Sequence, residues 1–177
     1  MIRILISGGP GSGCTSTAQV IGRHLRVPVF DSDVFFHKPT DPPFQEQYTP
    51  EERRTRLGSQ LSPEGAWILS GSVATWGLDP LEPTHGIFLN IPKAVRLRRL
   101  VRRQRDQFGT RIDSGGDMHQ EHHAFMKWAE EYEIRTGPTR SAETDHAFLK
   151  THCKHLLVFS EEEAMDGLVA KILRFLG

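Results

Sequence analysis

Apolar positions in this chain fall into two periods. Five short runs are apolar almost throughout: IRILIS (2–7), VPVFD (27–31), AWILS (66–70), GIFLN (86–90) and LLVF (156–159). Runs of this length read as buried strands. Between them apolar residues recur every three or four positions, the spacing of a helix with one buried face. Residues 15–25 put Ala18, Ile21 and Leu25 together in this way. Thr49, Pro50 and Glu52 form a helix start, with a cap, a proline in the first turn and a carboxylate at the third position. Pro92 opens a helix to about Phe108, with Leu97, Leu100, Val101, Gln104 and Phe108 along one side and Gly109 as its stop. Asp117 and Gln120 start another helix that runs to Gly137, and a further one covers 142–153. Ser160 with Glu163 caps a last helix whose Ala164, Leu168, Ile172 and Leu176 face inward.

Strands that alternate with helices in this manner predict an α/β domain, a parallel sheet covered on both faces. The irregular zones 31–49 (with the proline-dense KPTDPPF at 38–44), 70–85 and 109–117 mostly follow strand ends or the long basic helix. In such sheets ligands bind at the carboxyl ends of the strands. No repeat or linker interrupts the 177 residues, so one domain is expected, 1–177.

Composition narrows the function classes. The formal net charge is zero, which gives no bulk electrostatic support for binding nucleic acid or a membrane surface. Charge is nevertheless concentrated: residues 93–111 hold eight Lys/Arg against one Asp, a patch suited to an anionic ligand or to a solvated helix face. Two cysteines, Cys14 and Cys153, make no disulfide framework. The opening apolar run is too short for a signal peptide and no 18-residue apolar stretch follows, so a cytoplasmic protein is the default expectation.

The chemistry concentrates in SGGPGSGCTST, residues 7–17. Gly8, Gly13 and Thr15 fit the phosphate-loop pattern G-x-x-x-x-G-K-[ST], with Cys14 in the lysine's place. The dinucleotide pattern G-x-G-x-x-G fails in both registers, ending on Cys14 from Gly9 and on Ser16 from Gly11. Glycines between a strand and a helix let successive N–H groups turn toward one anion at the positive end of the helix dipole. Gly8, Gly9, Pro10, Gly11, Ser12, Gly13, Cys14, Thr15 and Ser16 are therefore the candidate nucleotide-binding residues, with Thr15 offering its hydroxyl to magnesium.

SGGPGSG-x-TSTA closely resembles the loop of adenylate-kinase-like P-loop kinases. DSDVFFHKPTDPPF, WILSGSVATWG, RLRRLVRRQRDQFGTRI, GGDM and HAFMKWAEEY resemble blocks of a bacterial group within that superfamily, and together they span most of residues 2–150. The resemblance implies a three-layer α/β/α fold with a five-stranded parallel sheet of order 2-3-1-4-5. It also implies a helical lid at about 105–137 and ATP with magnesium as the phosphoryl donor.

Cys14 departs from that pattern. The loop lysine offsets charge on the outer phosphates during transfer, and losing one such contact costs on the order of 10²–10³ in rate. A thiol supplies no cation, and at a helix N-terminus it tends toward thiolate. Three readings follow: an arginine from 98–111 replaces the cation, the protein binds nucleotide without turnover, or Cys14 is a redox gate.

Asp31 and Asp33, in DSD after the second strand, are expected to share a face of an extended segment. Their candidate roles are proton acceptor, magnesium ligand (Asp33) or partner of the acceptor; the plain alternative is a turn cap and a solvated side chain. Ser70, Gly71, Ser72 and Trp76 begin at a strand end and are candidates for the acceptor site, with Phe36 beside them. No arginine lies between 57 and 95 to hold an acceptor phosphate, which leaves Arg53 as the substitute, with Arg54 and Arg56 beside it. By resemblance, lid arginines clamp phosphates, and Arg102, Arg105 and Arg111 are the choices here, with Arg140 ranked behind them. His119, His122 and His123 lack companion ligands and read as solvated, while Phe125, Trp128 and Tyr132 read as packing. The expected function is transfer of a phosphoryl group from ATP to a nucleoside, nucleotide or small hydroxylated acceptor by a monomer or homodimer. The alternatives are a nucleotide-binding regulatory protein and a nucleic-acid binder that uses the basic helix.

Overall fold

A computed structural model describes residues 1–41, 43–78 and 81–177; Pro42 of the proline-dense segment, and Asp79 and Pro80 of the zone at 70–85, lie outside the described residues. The elements are β1 (Arg3–Gly8), α1 (Cys14–Leu25), β2 (Val29–Asp31), α2 (Ser32–Phe36), α3 (Pro50–Gly58), β3 (Trp67–Ser70) and β4 (His85–Leu89). Then come α4 (Lys93–Phe108), a 3₁₀ turn (Gly109–Ile112), α5 (His119–Glu130), α6 (Ala142–His152), β5 (His155–Phe159) and α7 (Met165–Leu176). The strands form one parallel sheet in the order β2-β3-β1-β4-β5, the order the family resemblance implies.

Alternate residues of β1 feed two cores, as the two-residue period of a strand demands. Ile4 and Ile6 pack with Ala18 and Ile21 of α1 and with Leu168, Val169 and Ile172 of α7. Leu5 packs the other way, with Phe35 of α2, Leu57 of α3 and Leu149 of α6. Both faces are covered, which is why the strands read as continuous apolar runs. At the carboxyl edge β1 ends in the glycine-rich turn, β2 in Asp31 and β3 in Ser70. Register sets Ile6 of β1 opposite Ser70 of β3, and Asp31 of β2 opposite the same serine, so the three ends lie side by side.

Several expectations need correction. Residues after Asp31 coil into α2 instead of extending, because the Asp31 side chain accepts the Asp33 N–H at 3.0 Å and caps the helix. The buried side of α4 is Arg96, Leu100, Gln104 and Phe108, four residues apart, so Val101 faces outward at 50% exposure and an arginine takes an inner place. α5 stops at Glu130 and turns follow before Gly137. α7 begins at Met165 with Ala164 as an exposed cap residue that makes no side-chain bond, so neither the Ser160–Glu163 cap nor the inward Ala164 is found. The Thr49 start is present in full: Thr49 accepts the Glu52 N–H at 3.2 Å and Glu52 accepts the Thr49 N–H at 2.7 Å. Among the described residues no helix is long and apolar enough to cross a membrane.

Candidate active site

Gly13 ends the glycine-rich turn in a left-handed conformation, φ +98°, and serves as the cap of α1 without any side-chain bond. The bond from the Thr17 N–H to the Gly13 carbonyl, 2.9 Å, starts the helical ladder, so the N–H groups of Cys14, Thr15 and Ser16 have no helical acceptor. Upstream, three arginines hold alternate carbonyls of the turn. Arg140 Nη2 donates to Gly8 O at 3.1 Å, Arg96 Nη1 to Pro10 O at 2.8 Å and Arg99 Nη1 to Ser12 O at 3.3 Å. In a trans peptide the N–H points opposite to the preceding carbonyl. The carbonyls of Pro10 and Ser12, drawn toward Arg96 and Arg99 of α4, therefore turn the N–H groups of Gly11 and Gly13 away from that helix. Gly9 is a glycine for want of space: a Cβ there would lie 2.8 Å from the Arg96 guanidinium carbon and 2.7 Å from the Tyr132 ring.

Cys14 opens α1 half-buried, its Sγ 3.2 Å from Ser12 Oγ. Burial pushes its thiol up to about 11, further than the Ser12 contact and the Arg140 charge pull it down. The thiolate expectation is thereby corrected. At neutral pH Cys14 is an uncharged thiol, which neither repels phosphate nor supplies the electropositive setting of a reactive cysteine.

Thr15 Oγ1 donates to Asp31 Oδ2 at 2.7 Å, across 16 residues, while Asp31 Oδ1 takes the Asp33 N–H. The cap role and the site role of Asp31 thus coexist in one side chain. Asp33 lies in the first turn of α2, open to solvent. Crowding by protein, then the Asp31 charge, raise its carboxyl above the usual range, against the pull of Arg140, His37 and Arg103.

On the acceptor side the Arg53 guanidinium lies over the Phe36 ring at 3.7 Å and 5.8 Å from the Trp76 ring, and its Nη2 donates to Gln47 at 3.1 Å. Its Nε is buried without a hydrogen-bond partner among the described residues. Phe36, Arg53 and Trp76 are thus gathered on one wall. Ser70 and Ser72 turn inside: Ser70 Oγ donates to Phe30 O and Ser72 Oγ to the buried Asp145. Gly71, φ +105°, lets the chain turn between them against Ser32.

Two of the three arginines expected to clamp phosphates are paired with carboxylates. Arg105 pairs with Asp113 at 2.7 Å, Arg111 with Asp117 at 2.7 Å and Asp41 at 3.5 Å, and Arg102 is exposed on α4. The cations that do reach the turn are Arg96, Arg99 and Arg140. Sequence reasoning did not single out Arg96 or Arg99 and ranked Arg140 behind the other arginines. It also missed Asp145, 1% exposed, which accepts from Ser72 and from the Tyr132 hydroxyl at 2.8 Å, with Arg140 Nε 3.9 Å away. The signal was present in the spacing: Arg96 stands four residues before Leu100, and Asp145 four before Leu149, on the inward face of each helix. Among the described residues no group of three or more His, Cys, Asp or Glu side chains gathers as a metal site.

No protein-family model matches the chain. A Bacillus subtilis (strain 168) protein, YqaC, described as uncharacterized, is 28% identical over 176 residues, 98% of this chain and 96% of its own. The cytidylate kinase of Methanococcus aeolicus (strain ATCC BAA-1280 / DSM 17508 / OCM 812 / Nankai-3) is 30% identical over 122 residues, 62% of this chain and 68% of the relative. The chain belongs to the P-loop kinases. Among solved structures this P-loop kinase chain shares its fold with shikimate kinase from Bacteroides thetaiotaomicron. The TM-score is 0.58 and the identity 21%, over 99% of this chain and 98% of that one.

Proposed function

We propose that the protein transfers the γ-phosphoryl group of ATP to a small hydroxylated acceptor that carries an anionic group, or to a nucleoside or nucleotide. The observation that carries this reading is the Thr15–Asp31 bond. It joins the first turn of α1 to the end of β2, at the same edge as the uncapped N–H groups of residues 14–16. Phosphates bound on those amides bring the γ-phosphorus toward Asp31 and Asp33. Two hard oxygens 2.7 Å apart, a hydroxyl and a carboxylate, suit magnesium, which takes one or two protein oxygens beside phosphates and water. When bound, it offsets charge on the outer phosphate oxygens.

In the transfer, an acceptor oxygen forms a bond to the γ-phosphorus and the bond from phosphorus to the β,γ-bridging oxygen breaks. ADP leaves, and the acceptor's proton passes to a carboxylate. Asp31 has both oxygens occupied by Thr15 and the Asp33 N–H, so it positions. Asp33 is open to solvent, and its raised carboxyl is the better base, so it takes the proton. Phe36 and Trp76 offer an apolar wall, and Arg53, with its buried unpartnered Nε, offers a cation for the acceptor's anionic group. A shikimate kinase among the structural neighbours and a cytidylate kinase among the relatives are the reason to test both acceptor classes.

Incubation with γ-labelled ATP, magnesium and a panel of CMP, UMP, AMP, cytidine, gluconate and shikimate tests the proposal. Label is expected in one acceptor and is expected to be lost in Asp33→Asn. Absence of any thermal shift with ATP–magnesium or ADP–magnesium would overturn the reading and its regulatory alternative together. A triphosphate-dependent shift without transfer to any compound would favour the regulatory alternative, which the neutral Cys14 supports.

A further inference from the structure

We propose that Arg140 supplies the positive charge that Cys14 does not, placing its guanidinium against the terminal phosphate of a bound nucleoside triphosphate. This inference rests on the reading of the glycine-rich turn as a triphosphate site.

Three cations touch the turn, and two are already committed. Arg96 is 1% exposed, donates to Pro10 O and pairs with Glu133. Arg99 donates to Ser12 O and pairs with Glu162 at 3.1 Å. Arg140 differs. Its one hydrogen bond to the turn, to Gly8 O, uses a single N–H of the five that a guanidinium carries. Its Nε is buried with no hydrogen-bond partner among the described residues. The nearest carboxylate, Asp145, is 3.9 Å from that Nε and already accepts from Tyr132 and Ser72. Asp145 therefore holds Arg140 in place by charge while leaving its donors unspent.

Position agrees with the role. Gly8 is the first residue of the turn, and the tail of the missing lysine would extend from position 14 toward the phosphates. The Arg140 charge acts on that point, since it pulls on the Cys14 thiol and on the Asp33 carboxyl against the rise that burial causes in both. A planar fork also contacts phosphate oxygens in pairs, which a lysine cannot do. Trp128, 5.5 Å from the Arg140 guanidinium, supports its outer face. The helix cap Ser141, next in sequence, fixes where the side chain leaves the backbone.

The test is calorimetric binding of ATP–magnesium and ADP–magnesium to the full chain, in the wild type and in Arg140→Gln, Arg140→Lys, Cys14→Lys and Cys14→Lys/Arg140→Gln. Arg140→Gln is expected to lower the preference for ATP over ADP by about tenfold, the scale of one charged contact to the terminal phosphate. Arg140→Lys is expected to keep part of that preference, and Cys14→Lys to return it in the Arg140→Gln background. A role confined to holding Asp145 would move the unfolding temperature but not the ATP/ADP ratio, and a lysine at 14 would restore nothing. Because Arg140→Gln leaves Asp145 without its cation, Arg140→Gln/Asp145→Asn is measured beside it as the variant that removes the buried charge. An ATP/ADP ratio within twofold of wild type in that folded variant overturns the inference and leaves the proposed function standing. A wild type that binds neither nucleotide overturns both.

Discussion

Replacing Arg96 by methionine keeps a long side chain beneath the glycine-rich turn and removes its charge. The loss is the bond from Nη1 to Pro10 O, 2.8 Å and buried, which for a charged donor is about 1.5–3 kcal/mol. Glu133, the ion-pair partner, is 32% exposed at its side chain, so a released carboxylate regains water and the pair adds little. An opposing effect comes from the guanidinium itself, whose Nε is buried without an acceptor among the described residues; methionine escapes that cost. The balance is a destabilisation of about 2 kcal/mol. For a domain of this size that lowers Tm by about 4–8 °C.

Urea unfolding followed by tryptophan fluorescence reads the change as a shift in midpoint at constant slope, and Glu133→Gln, which leaves the buried guanidinium without its counter-charge, should lower the midpoint as well. With Pro10 O released, the N–H of Gly11 is no longer held inward, so ATP–magnesium affinity should fall on the order of tenfold. An Arg96→Met protein with a midpoint equal to or above wild type would refute the reasoning. The desolvation cost of the buried guanidinium would then match its bond, and the turn would owe its shape to glycine dihedrals alone.

Two further outcomes follow from titrating groups. Folded Cys14 keeps its proton up to about 11, whereas an unfolded thiol loses it near 9.0. The native state therefore binds more protons in that window, and stability falls as pH rises through it, by about 2 kcal/mol at pH 11. Cys14→Ser should remove that part of the slope in denaturation series from pH 8 to 11, and identical slopes would contradict the buried thiol. Asp33 is raised by crowding and by Asp31, so activity should fall as pH drops through a point above the usual carboxylate range. Asp33→Asn should cost on the order of 10²–10⁴ in rate and leave stability at pH 7 within about 0.5 kcal/mol, because the side chain is exposed to solvent. A variant that loses activity and stability together would mark Asp33 as structural.

The central strands β1, β3 and β4 were legible because they are buried on both faces and so read as unbroken apolar runs; Ile4, Leu5 and Ile6 serve two different cores without a polar residue between them. The turn at 8–13 was legible because glycine spacing records backbone shape directly. What escaped was charge that faces inward. Arg96 and Asp145 sit where periodicity asks for an apolar residue, and each is tolerated through partners that are distant in sequence: Pro10 lies 86 residues from Arg96, and Ser72 lies 73 from Asp145. A window of one helix cannot contain such a partner. Asp31 was read as either a cap or a site residue, although a carboxylate has two oxygens: here one caps α2 and the other is left to accept from Thr15.

The same inward charges bear on the shape of the glycine-rich turn. A ligand-binding turn made of glycines has much backbone freedom to lose on binding, and that loss weakens affinity unless the shape is set beforehand. Here Arg96 and Arg99 of α4 grip the carbonyls of Pro10 and Ser12, so the amides of Gly11 and Gly13 are turned away from that helix before any anion arrives. Burial then divides the labour. Arg96 is sealed in and can act only on shape, whereas Arg140, a quarter exposed and with donors to spare, remains able to meet a ligand. An uncharged thiol at position 14 adds no second positive charge to the field that Arg140 already sets there.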